Sequence, residues 1–560
     1  MTNYQFTGGT ICAPATIPGT GAISIIRVSG KESLAIADKV IDTKGVPIAE
    51  TEGYRLRYGT VFEADGSVLD NVIVSVFRAP HSYTGENSVE ISCHASRFIV
   101  NKILELLVNA GARIAAPGEF TRRAFVNGKM DLAQAEAVAD VIASQSAASH
   151  RVAMNQLKGG FSSELKVLRE KLLTMTSLLE LELDFSEEDV EFASRKELGQ
   201  LVDDSLTHIG RLTASFSRGN AIKNGVPVAI VGATNTGKST LLNALLGEER
   251  AIVSDIAGTT RDTIEETLNI DGILFRFIDT AGIRETDETI EKIGIDRTFK
   301  KLGEAAVVLG MTDLSRGEEA VLEDADFILS KVNEMGGVKN VGLVIDGAET
   351  GGAPLTETSG AHQAKTGRAS LAETGETPLA ETSRASQHGH GDGQERKVVI
   401  LVNKCDVAGS FYKDDNGTGD GSGNDLGENM TEIGGNKNVN HDNNIVSLIE
   451  NKYDNCKVIP ISAKTGKGLS TLTKTLGEIG SEITGSTDET LVTNVRHYEA
   501  LVRSASALER VRAGLHIATL PPDLIAQDLR EALYHLGEIV GEITTDETLG
   551  NIFRNFCIGK

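Results

Sequence analysis

The chain has 560 residues, enough for three or four domains that each bury a core, and a formal net charge of −24. This charge would repel a polyanion at long range. The absence of Trp and an aromatic content of 4% also argue against a base-stacking platform for nucleic acid. We therefore expect any RNA contact to be local or shared with a partner protein.

The first residues and the cysteine pattern predict the cellular compartment of the protein. The start, MTNYQFTGGT, lacks the basic and apolar regions of a secretory signal, and no stretch is apolar for long enough to span a membrane. The five cysteines are scattered and form no CxxC pair, which argues against a disulfide framework and against a cysteine metal site. We expect a cytoplasmic protein.

The first two predicted domains differ in periodicity. Residues 1–125 alternate strand-like runs such as NVIVSVFRA with the helical pattern FIVNKILELLVNAG, which predicts an N-terminal α+β domain. Residues 126–220 carry apolar side chains at helical spacing, as in ELKVLREKLLTMTSLLELEL. These residues are predicted to be the first part of a helical domain.

Residues 221–490 are predicted to form an inserted α/β domain. The strand-like VPVAIVG is followed by the Gly-rich loop ATNTGKS and the helical TLLNALLG, and the strand-like runs FRFID, AAVVLG and VVILVN come later. Two polar tracts, at about 347–396 and 409–444, contain too few apolar residues to offset the entropy of ordering. We expect both tracts to be largely disordered insertions.

The last segment, residues 491–560, is helical again, and Pro-Pro-Asp at 521–523 predicts a helix start. It could join residues 126–220 in one bundle built from two separated segments of the chain. The predicted fold is therefore multidomain, with α+β, helical and P-loop α/β parts.

The stretch GATNTGKS, Gly232–Ser239, fits the phosphate-loop pattern GxxxxGK[ST] and lies between a predicted strand and a predicted helix. In this motif the backbone amides close around phosphates, the lysine reaches the β- and γ-phosphate oxygens, and the hydroxyl binds magnesium. These roles fall to Lys238 and Ser239.

Further motifs follow in the order of a GTP-binding domain. AGTTRD supplies Thr260 to the magnesium shell, DTAG supplies the Asp279 carboxylate, NKCD supplies Asp406 to the guanine N1 and N2 groups, and SAK adds a backbone amide. The residues predicted to line the GTP site are Asn235, Thr236, Gly237, Lys238, Ser239, Thr240, Ser254, Thr259, Thr260, Asp279, Thr280, Ala281, Gly282, Asn403, Lys404, Asp406, Ser462, Ala463 and Lys464.

Activation of water is a separate question, because Ile283 stands where Ras-like enzymes place a water-orienting glutamine. Several acids follow it, at Glu285, Asp287, Glu288 and Glu291. The positive charge that hydrolysis needs could come from Arg261, from Arg284 or from a bound metal cation. The residues alone leave these alternatives open.

The stretch PGEFTRRAFVNGKMDLAQAEAVADVI, the stretch GATNTGKSTLLNALLG with AIVSDIAGTTRD, and the ending FCIGK resemble the tRNA-modification GTPase family called MnmE or TrmE. The resemblance covers nearly the whole chain apart from the two polar tracts. It implies a K⁺-dependent GTPase that dimerises through its G domains. The implied K⁺ ligands are Asn235, Ser254, Ile256 and Thr259, and the implied catalytic residues are Lys238 and Glu291, the latter orienting the water.

The same resemblance implies that the N-terminal domain is similar to folate-binding one-carbon enzymes. The implied contacts to a tetrahydrofolate derivative, 5-formyl- or 5,10-methylene-tetrahydrofolate, are Arg27, Glu90, Lys129 and Lys560. Cys557 would be a free thiol in the tail, with either a catalytic or a structural role. The stretch SCHAS differs from the HGG-like sequence that is usual in the family at this position.

The reaction that the resemblance implies is addition of a carboxymethylaminomethyl or aminomethyl group to C5 of the wobble uridine, U34, of certain tRNAs. A flavin-containing partner, MnmG, would act with the homodimer in a heterotetramer, and glycine or ammonium would supply the amine. Two other hypotheses remain: a ribosome-assembly GTPase that acts as a binding switch, and a copy that has kept GTP hydrolysis but lost tRNA modification.

Overall fold

The computed structural model describes residues 8–184, 195–249, 266–278, 305–334, 396–406, 442–453, 456–485, 489–517, 521–554, 556 and 559. The chain divides into two compact units. One contains Met1–Gly225, Asn269–Leu274 and Gly480–Lys560, and the other contains Val226–Leu268 and Phe275–Ile479.

The N-terminal part of the first unit is a seven-stranded sheet with helices packed against both faces. Its elements are β1 (Ile11–Pro14), β2 (Ile23–Ser29), α1 (Ser33–Val40), β3 (Ile41–Asp42), β4 (Arg55–Phe62), β5 (Val68–Phe77), β6 (Ser88–His94), α2 (Arg97–Asn109), β7 (Arg113–Ile114) and α3 (Glu119–Val126). The strand order is β3-β4-β5-β6-β2-β1-β7, and all neighbours are antiparallel except β1 and β7.

Side chains in this sheet alternate between a buried face and an open face. In β5, Val72 and Val74 are buried, whereas Ile73 between them is 47% exposed. The buried face packs against apolar residues of α1 and α2. Arg27 of β2 and Glu90 of β6 lie between buried neighbours, so both belong to the open face.

The helical domain begins after the sheet with α4 (Leu132–Ala143), α5 (Ala147–Leu157), α6 (Gly160–Asp184), α7 (Arg195–Ala214) and α8 (Phe216–Asn224). A capping box starts α4: the Asp131 carboxylate accepts from the Gln134 backbone N–H at 2.8 Å, and the Gln134 side chain accepts from the Asp131 N–H at 3.0 Å. These bonds satisfy two N–H groups that have no partner within the helix.

The second unit contains most of a largely parallel sheet, although the ends of two of its strands, in Asn269–Leu274, are counted with the first unit. Its elements are β8 (Val226–Gly232), α9 (Lys238–Glu249), β9 (Glu266–Ile270), β10 (Ile273–Ile278), β11 (Val307–Asp313), α10 (Glu318–Glu334), β12 (Lys397–Asn403), α11 (Asp442–Lys452), β13 (Lys457–Pro460) and α12 (Leu469–Thr484). The strand order is β13-β12-β11-β8-β10-β9, and the neighbours from β13 to β10 run parallel.

The sheet of the second unit matches the predicted P-loop α/β architecture. Every residue of β11 and β12 is buried, as expected for parallel strands covered on both faces. The predicted polar tracts lie mostly outside the described residues. Helix α11 begins at Asp442, close to the predicted end of the second tract, in the sequence DNN, and Asp and Asn favour helix starts.

The chain then returns to the helical domain with α13 (Val495–Leu515), α14 (Pro522–Val540) and α15 (Asp546–Arg554). Helix α14 begins within the predicted Pro-Pro-Asp signal. One core joins the two segments: Leu172 and Val202 pack with Leu501, Leu529 and Leu536, and all five are fully buried. The prediction of one bundle from two chain segments is confirmed. None of the described helices is long and apolar enough to cross a membrane.

Candidate functional site

The phosphate-loop motif forms the turn between β8 and α9. A Cβ atom at Gly232 would lie 2.3 Å from the Met311 carbonyl oxygen, so a larger residue does not fit at the start of the loop. The buried Thr236 closes the loop by donating from Oγ1 to the Ala233 carbonyl oxygen at 2.9 Å. Asn235 is exposed and has a φ of +62°, a left-handed conformation that Asn tolerates better than most residues.

Lys238 is the first residue of α9, and its ammonium lies over this loop. Nζ donates to the carbonyl oxygens of Gly232 at 2.9 Å and Ala233 at 2.7 Å. Burial lowers the pKa of Lys238. Ser239 and Thr240 follow in the first helical turn, where backbone N–H groups have no partner within the helix. The loop therefore offers an ammonium, two hydroxyls and amide donors to an anion.

Asn403, at the end of β12, connects two loops of the site. It is 3% exposed, its Nδ2 donates to the Thr236 carbonyl oxygen at 2.7 Å, and its Oδ1 accepts from the Ala463 backbone N–H at 3.0 Å. Gly237, with a φ of +99°, leaves the space for this side chain, because a Cβ there would lie 2.4 Å from Asn403 Nδ2. The side-chain amide of Asn403, in the NKCD motif, thus connects the phosphate loop with the SAK motif.

Lys404 is held by a residue that the sequence did not predict. Its backbone has a φ of +66°, and its Nζ lies 2.6 Å from Oδ2 of Asp313, the last residue of β11. Burial would raise the pKa of Asp313, but hydrogen bonds from Lys404 and Ser315 lower it, so this carboxylate is charged at neutral pH. The available signal was an acidic residue at the carboxyl end of a buried parallel strand.

The SAK loop follows β13 and is closed by its own hydrogen bonds. The Ser462 backbone N–H donates to the Lys467 carbonyl oxygen at 2.9 Å, and Ser462 Oγ accepts from the Thr465 N–H at 3.3 Å. Ser462 and Ala463 are buried, whereas Lys464 is exposed. Asp406, the predicted guanine-reading carboxylate of NKCD, is also exposed.

Several predicted site residues lie outside the described part of the chain, so their assignments stay predictions. In the nucleotide site these are Ser254, Ile256, Thr259, Thr260, Asp279, Thr280, Ala281, Gly282 and Glu291, and in the tail they are Cys557 and Lys560. Among the described residues, no group of three or more His, Cys, Asp or Glu side chains is placed to hold a metal ion.

Arg27 and Glu90 are direct neighbours across β2 and β6 of the N-terminal sheet. Arg27 Nε donates to Glu90 Oε1 at 2.9 Å, and Nη2 lies 2.8 Å from the same oxygen. The two side chains are 18% and 25% exposed, so ligands from solvent can reach the pair. The register of two antiparallel strands brings together two of the four predicted folate contacts.

The other two predicted folate contacts come from later in the chain. Lys129 is exposed, and its Nζ donates to the Pro80 carbonyl oxygen at 3.1 Å. Gly559, next to Lys560, lies against β1, because a Cβ atom there would be 2.0 Å from the Pro14 carbonyl oxygen. Pro14 pairs with Ile26, which precedes Arg27. Gly559 therefore lies against β1, the strand that pairs with the strand carrying Arg27.

Comparison with known proteins extends over almost the whole chain. Residues 132–557 match the family model of the MnmE helical domain, and residues 10–129 match that of the GTP-binding protein TrmE N-terminus. The similarity to a solved GTP-binding protein from Sulfolobus solfataricus in complex with GDP is weak. The sequence identity is 14%, the match covers 57% of this chain and 67% of that chain, and the TM-score is 0.25.

Curated relatives that bear the name tRNA modification GTPase MnmE are similar to the chain over nearly its whole length. The Parabacteroides distasonis protein is 44% identical over 98% of this chain and 100% of its own length. The Bacteroides thetaiotaomicron protein is 43% identical over 98% and 99%, and the Porphyromonas gingivalis protein 42% over 100% and 99%. The chain therefore belongs to the MnmE (TrmE) family of tRNA modification GTPases, enzymes that hydrolyse GTP in the modification of tRNA.

Proposed function

We propose that this GTPase depends on K⁺ and that it adds a carboxymethylaminomethyl or aminomethyl group to C5 of the wobble uridine of certain tRNAs. A tetrahydrofolate derivative supplies the one-carbon unit, and an FAD-containing, MnmG-like protein is the partner. The observation that carries the proposal is that one chain holds both a phosphate-loop site and the Arg27–Glu90 pair, with Gly559 against the neighbouring strand β1.

For GTP, we assign Lys238 to the β- and γ-phosphate oxygens and Ser239 to Mg²⁺, with Thr260 as a further Mg²⁺ ligand. The position of Lys238 over the loop and of Ser239 in the first turn of α9 supports this assignment. Hydroxyl oxygen is a suitable ligand for Mg²⁺, which would offset the charge of the phosphate groups during transfer. Asp406 would read guanine at the opposite end of the site.

For K⁺, we assign Asn235 together with Ser254, Ile256 and Thr259. The exposed side chain of Asn235 on the phosphate loop supports this, because an amide oxygen is a suitable ligand for a hard cation. The cation would supply the positive charge that an arginine supplies in other GTPases. Glu291 would orient the attacking water, so Glu291→Ala should slow hydrolysis while the affinity for GTP stays nearly constant.

For the folate, we assign Arg27, Glu90, Lys129 and Lys560. Among the described residues, Arg27 Nη1 and Glu90 Oε2 have no hydrogen-bond partner, so both remain available to a ligand. A pterin ring carries an amino group and an N–H that a carboxylate accepts, and the glutamate part carries carboxylates that cations bind. Cys557 would lie close to this site as a thiol, in a catalytic or a structural role.

For assembly, we propose a homodimer that closes through its G domains and binds the flavin-containing partner as a heterotetramer. A second surface supports self-association. The open face of the N-terminal sheet exposes Tyr54, Leu56, Tyr58 and Ile73 by 47–70%, and such clusters on soluble proteins usually mark interaction sites. Because the whole chain has a net charge of −24, the partner would contribute much of the tRNA affinity.

The test of the cation mechanism is the rate of GTP hydrolysis in K⁺ and in Na⁺ at equal ionic strength, measured with the oligomeric state in each salt. We expect turnover in K⁺ to be well above turnover in Na⁺. Equal rates in the two salts would contradict the K⁺ assignment and would leave the folate assignment untouched.

The test of the modification is the level of carboxymethylaminomethyl-uridine in the tRNA of cells that lack the gene. We expect the modified nucleoside to disappear and to return when the chain is supplied again. Unchanged levels would favour the two other hypotheses, a ribosome-assembly switch or a copy that has lost tRNA modification.

A further inference from the structure

One loop of the N-terminal domain contacts two of the predicted folate residues. It connects β5 to β6, and buried groups hold it in place at Glu86. The Arg123 guanidinium, only 2% exposed, donates from Nη1 to both Glu86 carboxylate oxygens at 3.1 and 3.0 Å. Ser29 Oγ also donates to Glu86 Oε2, at 2.8 Å. The loop is therefore fixed to the sheet before any ligand binds.

On one side this loop meets Lys129. The Pro80 carbonyl oxygen accepts the Lys129 ammonium, and the loop packs along the lysine stem at Gly85. A Cβ atom at Gly85, where φ is +77°, would lie 3.3 Å from Lys129 Cγ and 3.1 Å from Asn127 Cβ. Asn127 Nδ2 in turn donates to the Thr84 carbonyl oxygen at 2.7 Å.

On the other side the loop presents Tyr83 to Arg27. The Arg27 Cζ atom lies 5.1 Å from the centre of the Tyr83 ring and 5.6 Å from the centre of the Phe120 ring. Phe120 is fully buried, and the Tyr83 hydroxyl lies 2.8 Å from Thr121 Oγ1. The guanidinium is therefore held by two aromatic rings and by the Glu90 carboxylate.

We propose that Tyr83 is a positioning residue of the folate site, acting through Arg27. The ring faces fix the plane of the guanidinium while leaving its N–H edge open, because cation–π contact uses the face of the ion and hydrogen bonding uses its edge. The orientation of Arg27 then exists before the ligand arrives, so binding loses less side-chain entropy. The inference rests on the proposed folate function.

The test is calorimetric titration of the full chain with 5-formyltetrahydrofolate. Tyr83→Leu removes the ring and should weaken binding about tenfold, the scale of a partly desolvated cation–π contact. Tyr83→Phe keeps the ring and loses only the hydroxyl contact with Thr121, so its affinity should stay within about twofold of wild type. Tyr534→Leu, in α14, is the matched control for loss of a partly exposed tyrosine and should bind as wild type.

A double-mutant cycle with Arg27→Lys separates positioning from direct contact with the ligand. Lysine keeps the charge but has no planar group to align, so Tyr83→Leu should have little further effect in the Arg27→Lys background. Losses that add fully would overturn the positioning role, as would wild-type affinity in Tyr83→Leu. If the wild-type chain itself does not bind the folate, both the folate function and this inference fail, which distinguishes that result from failure of the inference alone.

Discussion

Polar groups are held in different ways in the two units of the chain. In the nucleotide unit, side chains bond mainly to backbone: Lys238 donates to two carbonyl oxygens, and Asn403 joins a carbonyl oxygen to an amide. In the first unit, the pairs Arg27–Glu90 and Arg123–Glu86 instead join side chains from distant parts of the chain.

The difference predicts how each site responds to substitution. A loop whose shape depends on glycines and backbone hydrogen bonds should keep its conformation when one charged side chain is removed, and only the rate of the reaction should fall. Where two side chains form an ion pair, removal of one leaves the other without its hydrogen-bond partner in a partly buried environment. Substitutions in the first unit should therefore disturb the geometry of a site as well as its charge.

The largest expected effect is in the nucleotide unit. Lys238→Ala removes the ammonium over the phosphate loop, and GTP turnover should fall by ~10²–10³-fold, the usual result of deleting one donor that stabilises developing charge. The loop bond between Thr236 and Ala233 does not involve this side chain, so the fold should persist. Turnover is measured by phosphate release and the fold by circular dichroism. Lys474→Ala, an exposed lysine of α12, is the control, and a loss below about threefold would contradict the assigned role.

The next effect tests the close pair of Asp313 and Lys404 in the nucleotide site. Asp313→Asn removes the charge that holds Lys404, and hydrogen bonds to charged groups contribute about 1.5–3 kcal/mol, so KM for GTP should rise ~10–100-fold. The value of kcat should change less, because Lys404 belongs to the NKCD motif, which we propose reads the base, and not to the phosphate loop. Steady-state kinetics of the full chain measure both constants.

The matched control for Asp313→Asn is Glu334→Gln, which breaks an exposed ion pair with Lys331 within α10 and should leave KM unchanged. A change of KM in both variants, or in neither, would contradict a specific role for Asp313. A fall in kcat with KM unchanged would place Asp313 with the phosphate chemistry instead.

The same contrast explains what could be predicted from sequence. The sequence predicts Lys238 and Ser239 as site residues because the pattern GxxxxGK[ST] specifies a whole backbone loop in eight adjacent residues. Asp313 could not be identified in this way. Its partner Lys404 is 91 residues away, and the two meet only because β11 and β12 pair in parallel with Asp313 opposite Asn403.

In the first unit, prediction depended on resemblance to a family. Periodicity indicated β2 and β6 but not their register, and a shift of one residue would place Arg27 and Glu90 on opposite faces of the sheet. The support from Tyr83 comes from a loop, and no repeating pattern predicts which ring a loop places over a cation. The two-segment helical bundle was predictable because apolar residues recur at helical spacing in both segments. This spacing does not indicate which helices contact each other.

A smaller effect is expected at the Arg27–Glu90 pair. Glu90→Gln removes the charge that orients Arg27, and affinity for 5-formyltetrahydrofolate should fall about tenfold, because the pair is partly exposed and solvent screens it. Calorimetry on the full chain measures the affinity. Glu105→Gln, which breaks the exposed Lys102–Glu105 pair on α2, is the control. An unchanged affinity in Glu90→Gln would show that Arg27 keeps its orientation without Glu90.

A buried charged cluster joins the two chain segments of the helical domain. Glu136 of α4 contacts two residues of α13: Arg496, through bonds of 2.9 and 3.0 Å, and His497, at 2.6 Å. Burial alone would raise the pKa of Glu136, but His497 and Arg496 lower it to about 2. Arg496 also donates to the carbonyl oxygens of Glu538 and Ile539 at the end of α14.

This cluster predicts a pH dependence that the nucleotide unit should lack. His497 is 1% exposed, and burial lowers its pKa below the ordinary value of 6.5, outweighing Glu136, while Arg496 and Lys223 lower it further. Above pH 6.5 the imidazole is neutral in the folded and the unfolded chain. Below pH 6.5 the unfolded chain binds a proton that the folded chain excludes, so stability is lost as pH falls toward the folded pKa.

The expected loss is at most about 1.4 kcal/mol per pH unit for one proton. Hydrogen exchange of the full chain at pH 7.5 and 5.5, corrected for intrinsic rates, should show a lower opening free energy in α13 and no matching loss in β12, whose Asn403 does not titrate. His497→Gln should remove the dependence in α13, whereas His516→Gln, at an exposed position, should keep it. An equal pH dependence in α13 and β12 would contradict this assignment, because protonation of the buried His497 should lower the opening free energy only of the segments that pack against it.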